Sequence, residues 1–267
     1  MMNNKDVCIV IPVYKDAMSE PEKVSFQRTL EVFKSREIRL VGPEYLKDTL
    51  KQFSTQRENV SVSVFPDFYF KKISGYNRLL MSPEFYLHFS GFEYILICQL
   101  DVFVIKDELD YWIKNGKDNI GAPIFEGYTK PTLNFKKGNN GGFCLRKTES
   151  CIKVLSQIKN SYSPLSSLWK MENKLHWKIF RIVRDGFIFN YKTRLLKPVI
   201  NEDIFWSVIV PENFSWFKAG EPEEAKYFAF DANPKYLFQQ CNYEYPMAIH
   251  AWLRYDKLFT LDLIKQF

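Results

Sequence analysis

The chain has 267 residues, 46% hydrophobic and 25% charged, a balance that supports a sizeable core and excludes disorder, a collagenous repeat and a coiled coil. No apolar run approaches the roughly 18 to 20 residues of a membrane span, and residues 7–13 lack the basic leader and cleavage site of a secretory signal, so a cytoplasmic chain is expected. Net charge is +6, yet residues 151–198 hold ten Lys and Arg against Glu172 and Asp185, a local +8 that leaves the remainder at −2. Such a patch suits a membrane surface, a polyanion or a phosphorylated ligand. The five cysteines, Cys8, Cys98, Cys144, Cys151 and Cys241, are odd in number and scattered, which supports neither a disulfide framework nor a zinc site.

In chain order, residues 7–13 form an apolar run suited to a strand buried on both faces. Ser19 and Glu22 then spell a capping box for a helix to about Ser35. Residues 38–41 predict a second strand, 44–53 a helix, and 60–65 a third strand. A helix interrupted by Pro83 precedes a fourth strand, 94–100, that stops at Asp101. Strands spaced by helices imply parallel pairing through right-handed crossovers. Beyond Asp101 the pattern gives a helix at 107–114, a strand at 119–124, a polar loop at 136–140, a strand at 143–146 and a helix from Thr148 to about Lys159.

Between residues 165 and 184, Lys170, Lys174, Lys178 and Arg181 share one helical face. That stripe is read either as a solvated face or as a contact with an anionic bilayer. A short helix after Asn201, a loop region rich in Pro and aromatics to Tyr245, a strand at 247–251 and a terminal helix from Asp256 complete the chain.

Ligands of open parallel sheets bind beyond the carboxyl ends of the strands, which nominates Tyr14, Lys15 and Asp16 after the first strand and Asp101 after the fourth. Asp101 either holds a hard divalent cation or caps the local turn. Gly141 and Gly142 either admit close backbone approach to a ligand or form a bulge. Glu202 and Asp203 are either site carboxylates or first-turn acids of a helix. His250 is either a metal ligand or a hydrogen-bonded core residue. Arg78, with Tyr76 and Asn77, faces either a phosphate or a surface partner. His88 and His176 read as structural. Trp206 and Trp216 are the aromatic candidates for ligand contact.

The order of these segments resembles that of GT-A type glycosyltransferases. The run Ile9-Val10-Ile11-Pro12-Val13-Tyr14 is similar to their opening strand. Gln99-Leu100-Asp101 stands where they keep an Asp-x-Asp motif. Asn140-Gly141-Gly142-Phe143 resembles the Gly-Gly strand of galactosyltransferases of this fold, and Asn201-Glu202-Asp203 their Glu-Asp segment. The nearest resemblance is to a glycosyltransferase-like family described as a domain of unknown function.

The resemblance implies a single α/β domain over 1–267, with a GT-A like, Rossmann-type mixed sheet flanked by helices. Residues 1–105 would form the nucleotide-sugar half and 106–267 the acceptor half. It further implies inverting, hexosyltransferase-like transfer from a nucleotide-sugar donor to a glycan or lipid-linked acceptor. In that scheme Asp101 and His250 hold Mn2+ or Mg2+, and Tyr14, Lys15, Arg78, Gln99, Gly141 and Gly142 lie near the donor. Asp203 is the base and Glu202 binds acceptor hydroxyls. Gln99 departs from the motif's first Asp, and alternation of Leu100, Val102 and Val104 with Asp101 and Phe103 favours Asp101 as its last. A polysaccharide-building enzyme, peripheral at the inner face of an anionic membrane, fits this reading. Two rivals are a non-catalytic nucleotide-sugar-binding module and a sugar nucleotidyltransferase, the latter disfavoured by the absence of glycine after the first strand. Nucleic-acid binding is disfavoured because the basic stretch contains no reading motif.

Overall fold

Strand β1 (Val7–Pro12) is apolar throughout because both its faces are covered: Val7, Ile9 and Ile11 enter one core cluster, Cys8 and Val10 another. The computed structural model describes residues 6–55, 57–127, 130–161, 175 and 201–267. Ser19 caps α1 (Glu20–Val32), and the Glu22 carboxylate accepts from the Ser19 backbone N–H at 2.8 Å, as the capping box requires. β2 (Glu37–Pro43), α2 (Lys47–Ser54) and β3 (Val60–Phe65) follow. Pro83 then opens α4 (Pro83–His88) after α3 (Ile73–Leu79), its missing N–H harmless in a first helical turn.

β4 (Tyr94–Cys98) pairs with β1 on the side opposite β2. The main sheet has the order β3-β2-β1-β4-β7-β6, with β6 (Asn119–Phe125) and β7 (Phe135–Lys147). The first four strands are mutually parallel, and β7 runs antiparallel to both neighbours. The mixed α/β sheet expected of the chain is thus present. Because the chain leaves β1 toward β2 and returns to its other side as β4, a topological switch point lies at the carboxyl ends of β1 and β4.

A second sheet, β5-β9-β8, is built from β5 (Val102–Val104), β8 (Ala229–Phe230) and β9 (Ala248–His250). Val102 and Val104 face the main core while Phe103 joins a separate cluster with Phe230 and Ile249. α5 (Leu109–Asn115) and α6 (Thr148–Ser161) flank the main sheet. α7 (Glu202–Ile204) continues through a wider π turn, Phe205–Ile209, into α8 (Val210–Asn213). Among the described residues no helix is long and apolar enough to cross a membrane.

Two expectations need correction. The polar stretch 136–140 is not a loop but part of β7, since backbone pairing leaves the Lys136 and Lys137 side chains at the exposed surface, where Lys137 pairs with Glu212 at 3.4 Å. The region up to Tyr245 is not loop alone: it holds α9 (Pro222–Phe228), β8 and α10 (Pro234–Gln240), with α11 (Lys257–Ile264) beyond. The helices α9 and α10 each start at a proline, which read in sequence as loop punctuation but serves here in a first turn. The basic stripe Lys170, Lys174, Lys178 and Arg181, together with His176, lies outside the described residues.

Candidate functional site

A cleft of about 620 Å³ opens at the switch point. Tyr14 follows β1 and Asp101 follows β4, so both reach its wall directly from the sheet. Gln99, Gly141, Gly142, Glu202, Asp203 and His250, all predicted, meet there as well. Residues roughly a hundred positions apart in sequence therefore face a single ligand-sized space.

Asp101 and His250 meet because β5 and β9 are antiparallel with Val102 opposite His250. The Asp101 side chain is 55% exposed, whereas that of His250 is 12% exposed. His250 Nε2 lies 3.4 Å from Asp101 Oδ1, and Nδ1 lies 3.1 Å from Asp231 Oδ1. Burial opposes the imidazolium, but the two carboxylates outweigh it and push His250 up to about 10. Burial likewise opposes ionised Asp101, yet hydrogen bonding and charge from His250 hold its carboxyl below the usual range.

The donor set is one carboxylate oxygen and one imidazole nitrogen. Ligand distances of about 2.1 Å to a small divalent cation bring two ligand atoms to within about 4.2 Å of each other, and the observed gap of 3.4 Å fits that span. Among the described residues no group of three or more such side chains is arranged to hold an ion, so a cation held by this pair would need further ligands from outside these side chains. Gln99 also lines the cleft, its Nε2 donating to the Tyr76 hydroxyl at 3.5 Å, and as a neutral amide it brings no negative charge to this set.

Between the two acidic flanks runs an irregular stretch of β7. Gly121 pairs with Cys144 but Pro123 pairs with Asn139, so on the β6 side residues 140–143 stand opposite Ala122 alone, while Phe143 stays paired with Cys98 of β4. This is the bulge reading of the glycine pair. Close approach is realised as well: a Cβ on Gly141 would collide with the Glu202 carboxylate, and one on Gly142 with the His250 ring. Neither glycine has a positive φ, so it is space for neighbouring side chains, not backbone freedom, that demands glycine here.

On the other flank, Asn201 precedes α7 and its Oδ1 accepts from Asn77 Nδ2 at 3.2 Å. Glu202 is buried and its Oε2 is engaged by Arg146, which is itself completely buried. Arg146 also donates to the Tyr86 hydroxyl at 3.0 Å and to Asn119 Oδ1 at 3.3 Å, and lies 5.8 Å from the Trp206 ring centroid. Burial opposes the guanidinium, but the Glu202 charge keeps it fully protonated. Asp203 accepts from the Ile204 backbone N–H at 2.7 Å. Burial first, and the Glu202 charge second, push the Asp203 carboxyl up to about 7.

Other candidates stand elsewhere. Lys15 does not line the cleft; its ammonium pairs with Glu22 at 3.0 Å, beside the exposed Tyr14 ring. Arg78 turns away from the cleft and stacks on Phe68, 5.0 Å from the ring centroid, although Tyr76 and Asn77 on the same helix do reach the wall. Trp206 is fully buried and donates its indole N–H to the Leu80 carbonyl at 2.8 Å, so it cannot touch a sugar. Trp216 packs on Phe214 and Phe217 outside the cleft. His88 is structural, sharing a hydrogen bond with Ser63 Oγ at 2.8 Å. All five cysteines are free and buried.

Sequence reasoning missed Lys71 and Lys72, which line the cleft from an exposed turn without any motif to mark them. It also missed Asp231. The pattern that nominates Asp101, an apolar strand stopping at a carboxylate, recurs in Phe228-Ala229-Phe230-Asp231 and would have found it.

Several solved structures share this architecture. The chain is similar to the galactosyltransferase LgtC in complex with donor and acceptor sugar analogues, at 11% identity and a TM-score of 0.50, covering 97% of this chain and 95% of that one. An active-site mutant of LgtC matches at 13% identity and a TM-score of 0.51 with the same coverage. The glycosyltransferase GlyE of Streptococcus pneumoniae TIGR4 is also similar, at 11% identity and a TM-score of 0.48; it matches 91% of this chain, which spans only 54% of GlyE. No curated protein matches by sequence. The fold is that of the GT-A glycosyltransferases. The profile of the family described as Protein of unknown function (DUF5672) matches residues 59–250, a stretch that runs from the edge of β3 to His250 and holds every cleft carboxylate named above except Glu22 and thus places the chain in that family.

Proposed function

We propose that this cleft transfers a sugar from a nucleotide-sugar donor to a hydroxyl of a glycan or lipid-linked acceptor. The observation that carries the reading is the meeting of Asp101 and His250 with Glu202 and Asp203 across the Gly141–Gly142 bulge. The first pair suits a diphosphate-bound divalent cation and the second suits an acceptor hydroxyl.

Asp101 Oδ1 and His250 Nε2 would hold Mn2+ or Mg2+, which when bound neutralises charge on the departing diphosphate. Asp203 accepts the acceptor proton; a carboxyl pushed up to about 7 is matched to that task near neutral pH. As the acceptor oxygen bonds to the anomeric carbon, the bond to the diphosphate oxygen breaks, and direct displacement inverts the centre. Glu202 is held by Arg146 through Oε2, with Oε1 on the Gly141 side of the cleft, where it can meet an acceptor hydroxyl. Tyr14 and the Lys71–Lys72 turn offer a ring and two cations at the rim for the nucleotide.

A panel of nucleotide sugars incubated with and without Mn2+ tests the reading, because transferases of this type pass sugar slowly to water. Cation-dependent consumption of at least one donor supports it, and the anomeric proton of the first-formed product reports inversion or retention. The neutral amide of Gln99, on the cleft wall where the resembled motif keeps a carboxylate, favours a second reading, a nucleotide-sugar-binding module without turnover. Calorimetry distinguishes them: weak or cation-independent binding of nucleoside diphosphates, with no consumption of any donor, favours the module.

A further inference from the structure

Asp231 is not part of the cleft wall, yet it connects three groups that are. β8 runs parallel to β9 with Phe230 beside Ile249, so the next residue, Asp231, falls next to His250. Its Oδ1 lies 3.1 Å from His250 Nδ1, and its Oδ2 accepts from Asn140 Nδ2 at 3.1 Å. The same Asn140 amide accepts the Gly142 backbone N–H through Oδ1 at 2.7 Å. Both ends of the amide are thereby used, and reversing it would set an oxygen against the Asp231 carboxylate and an NH2 against the Gly142 N–H.

We propose that Asp231, seated by Asn140, is the positioning residue of the cleft: it fixes the His250 ring with Nδ1–H toward itself and Nε2 toward Asp101. The proposal rests on the cation reading of the site, for which it names the residue that sets His250's orientation. A carboxylate behind a ligating imidazole selects the tautomer and strengthens the facing nitrogen as a donor. The bulge has a role in the same bracket. Asn140, in the stretch where the pairing of β7 with β6 shifts register, reaches Asp231, and Gly142 has no side chain where the ring packs. A merely structural ion pair would need neither the amide nor the glycine.

The test uses the full chain with 15N-labelled histidine and no added cation. A downfield Nδ1–H resonance of His250, assigned by its loss in His250→Gln, is expected in the wild type and in Asn140→Ala at reduced intensity, and is expected to vanish in Asp231→Ala. Mn2+ titration followed by electron paramagnetic resonance is the second readout. Asp231→Ala is expected to weaken Mn2+ by about 10–100-fold, and Asp231→Asn, which keeps the shape and an acceptor, by less. Should the alanine variant fail to fold, the asparagine variant carries the comparison. Retention of both the resonance and wild-type Mn2+ affinity in Asp231→Ala overturns the proposal. Loss of the resonance with no Mn2+ bound even by the wild type supports the positioning role and refutes the cation reading instead.

Discussion

The two acidic flanks of the cleft are built from the same residue types but differ in how water reaches them. Asp101 is more than half exposed and faces a histidine, so its charge remains available to a ligand. Glu202 is buried against Arg146, a partner that never gives up its proton. Asp203 bears the consequence: next to a fixed negative charge and largely removed from water, its carboxyl is pushed up to about 7. Under the proposed function, burial would divide the labour between carboxylates, the exposed flank holding a cation and the buried one exchanging a proton.

The sharpest way to break this comparison is to remove the guanidinium that holds Glu202. Arg146→Leu leaves Glu202 buried without a partner and is expected to cost about 3–5 kcal/mol in denaturant unfolding. A loss of only about 0–1 kcal/mol, as for a surface pair, would make the two flanks equivalent. Next in size, Gly142→Ala forces a methyl into the His250 ring and is expected to weaken Mn2+ by about 10–100-fold, the effect of misplacing a ligand. Gly141→Ala, which meets Glu202, is expected to leave Mn2+ affinity near wild type.

The proton-exchanging flank has its own signature. With Asp203 as base, kcat/KM is expected to rise with pH up to about 7 and level off above it. Stability should move the other way. Because the folded carboxyl holds its proton above its ordinary value of 3.8, stability falls as pH rises from near 3.8 through about 7 and is flat beyond. Unfolding of Asp203→Asn across that range should lack this fall. The smallest effect belongs to Arg78→Ala: lost stacking on Phe68 costs about 0.5–1 kcal/mol at an exposed site, while nucleotide-sugar binding stays near wild type because the side chain lies off the cleft wall.

Much of this architecture is legible in the sequence where one local pattern has one outcome. An apolar run stopping at a carboxylate places Asp101 at a sheet rim, and Ser19 with Glu22 starts a helix. Legibility fails where the outcome depends on a distant partner. Trp206 reads as a sugar platform until Leu80 and Arg146 enclose it. Arg78 is a phosphate ligand in prospect and a stacking group in fact, because its guanidinium packs over Phe68, off the cleft wall. The glycine pair offers two readings in sequence, and both hold: the ladder breaks there, and the neighbours it admits are Glu202 and His250.

The most direct test is a pair of isosteric variants read by two assays. Asp101→Asn is expected to lose cation-dependent binding of nucleoside diphosphate by calorimetry. Asp203→Asn is expected to keep that binding and yet slow sugar transfer by about 10²–10⁴-fold. Both variants binding and turning over like the wild type, or both failing in the same assay alone, would contradict a cleft with two distinct flanks.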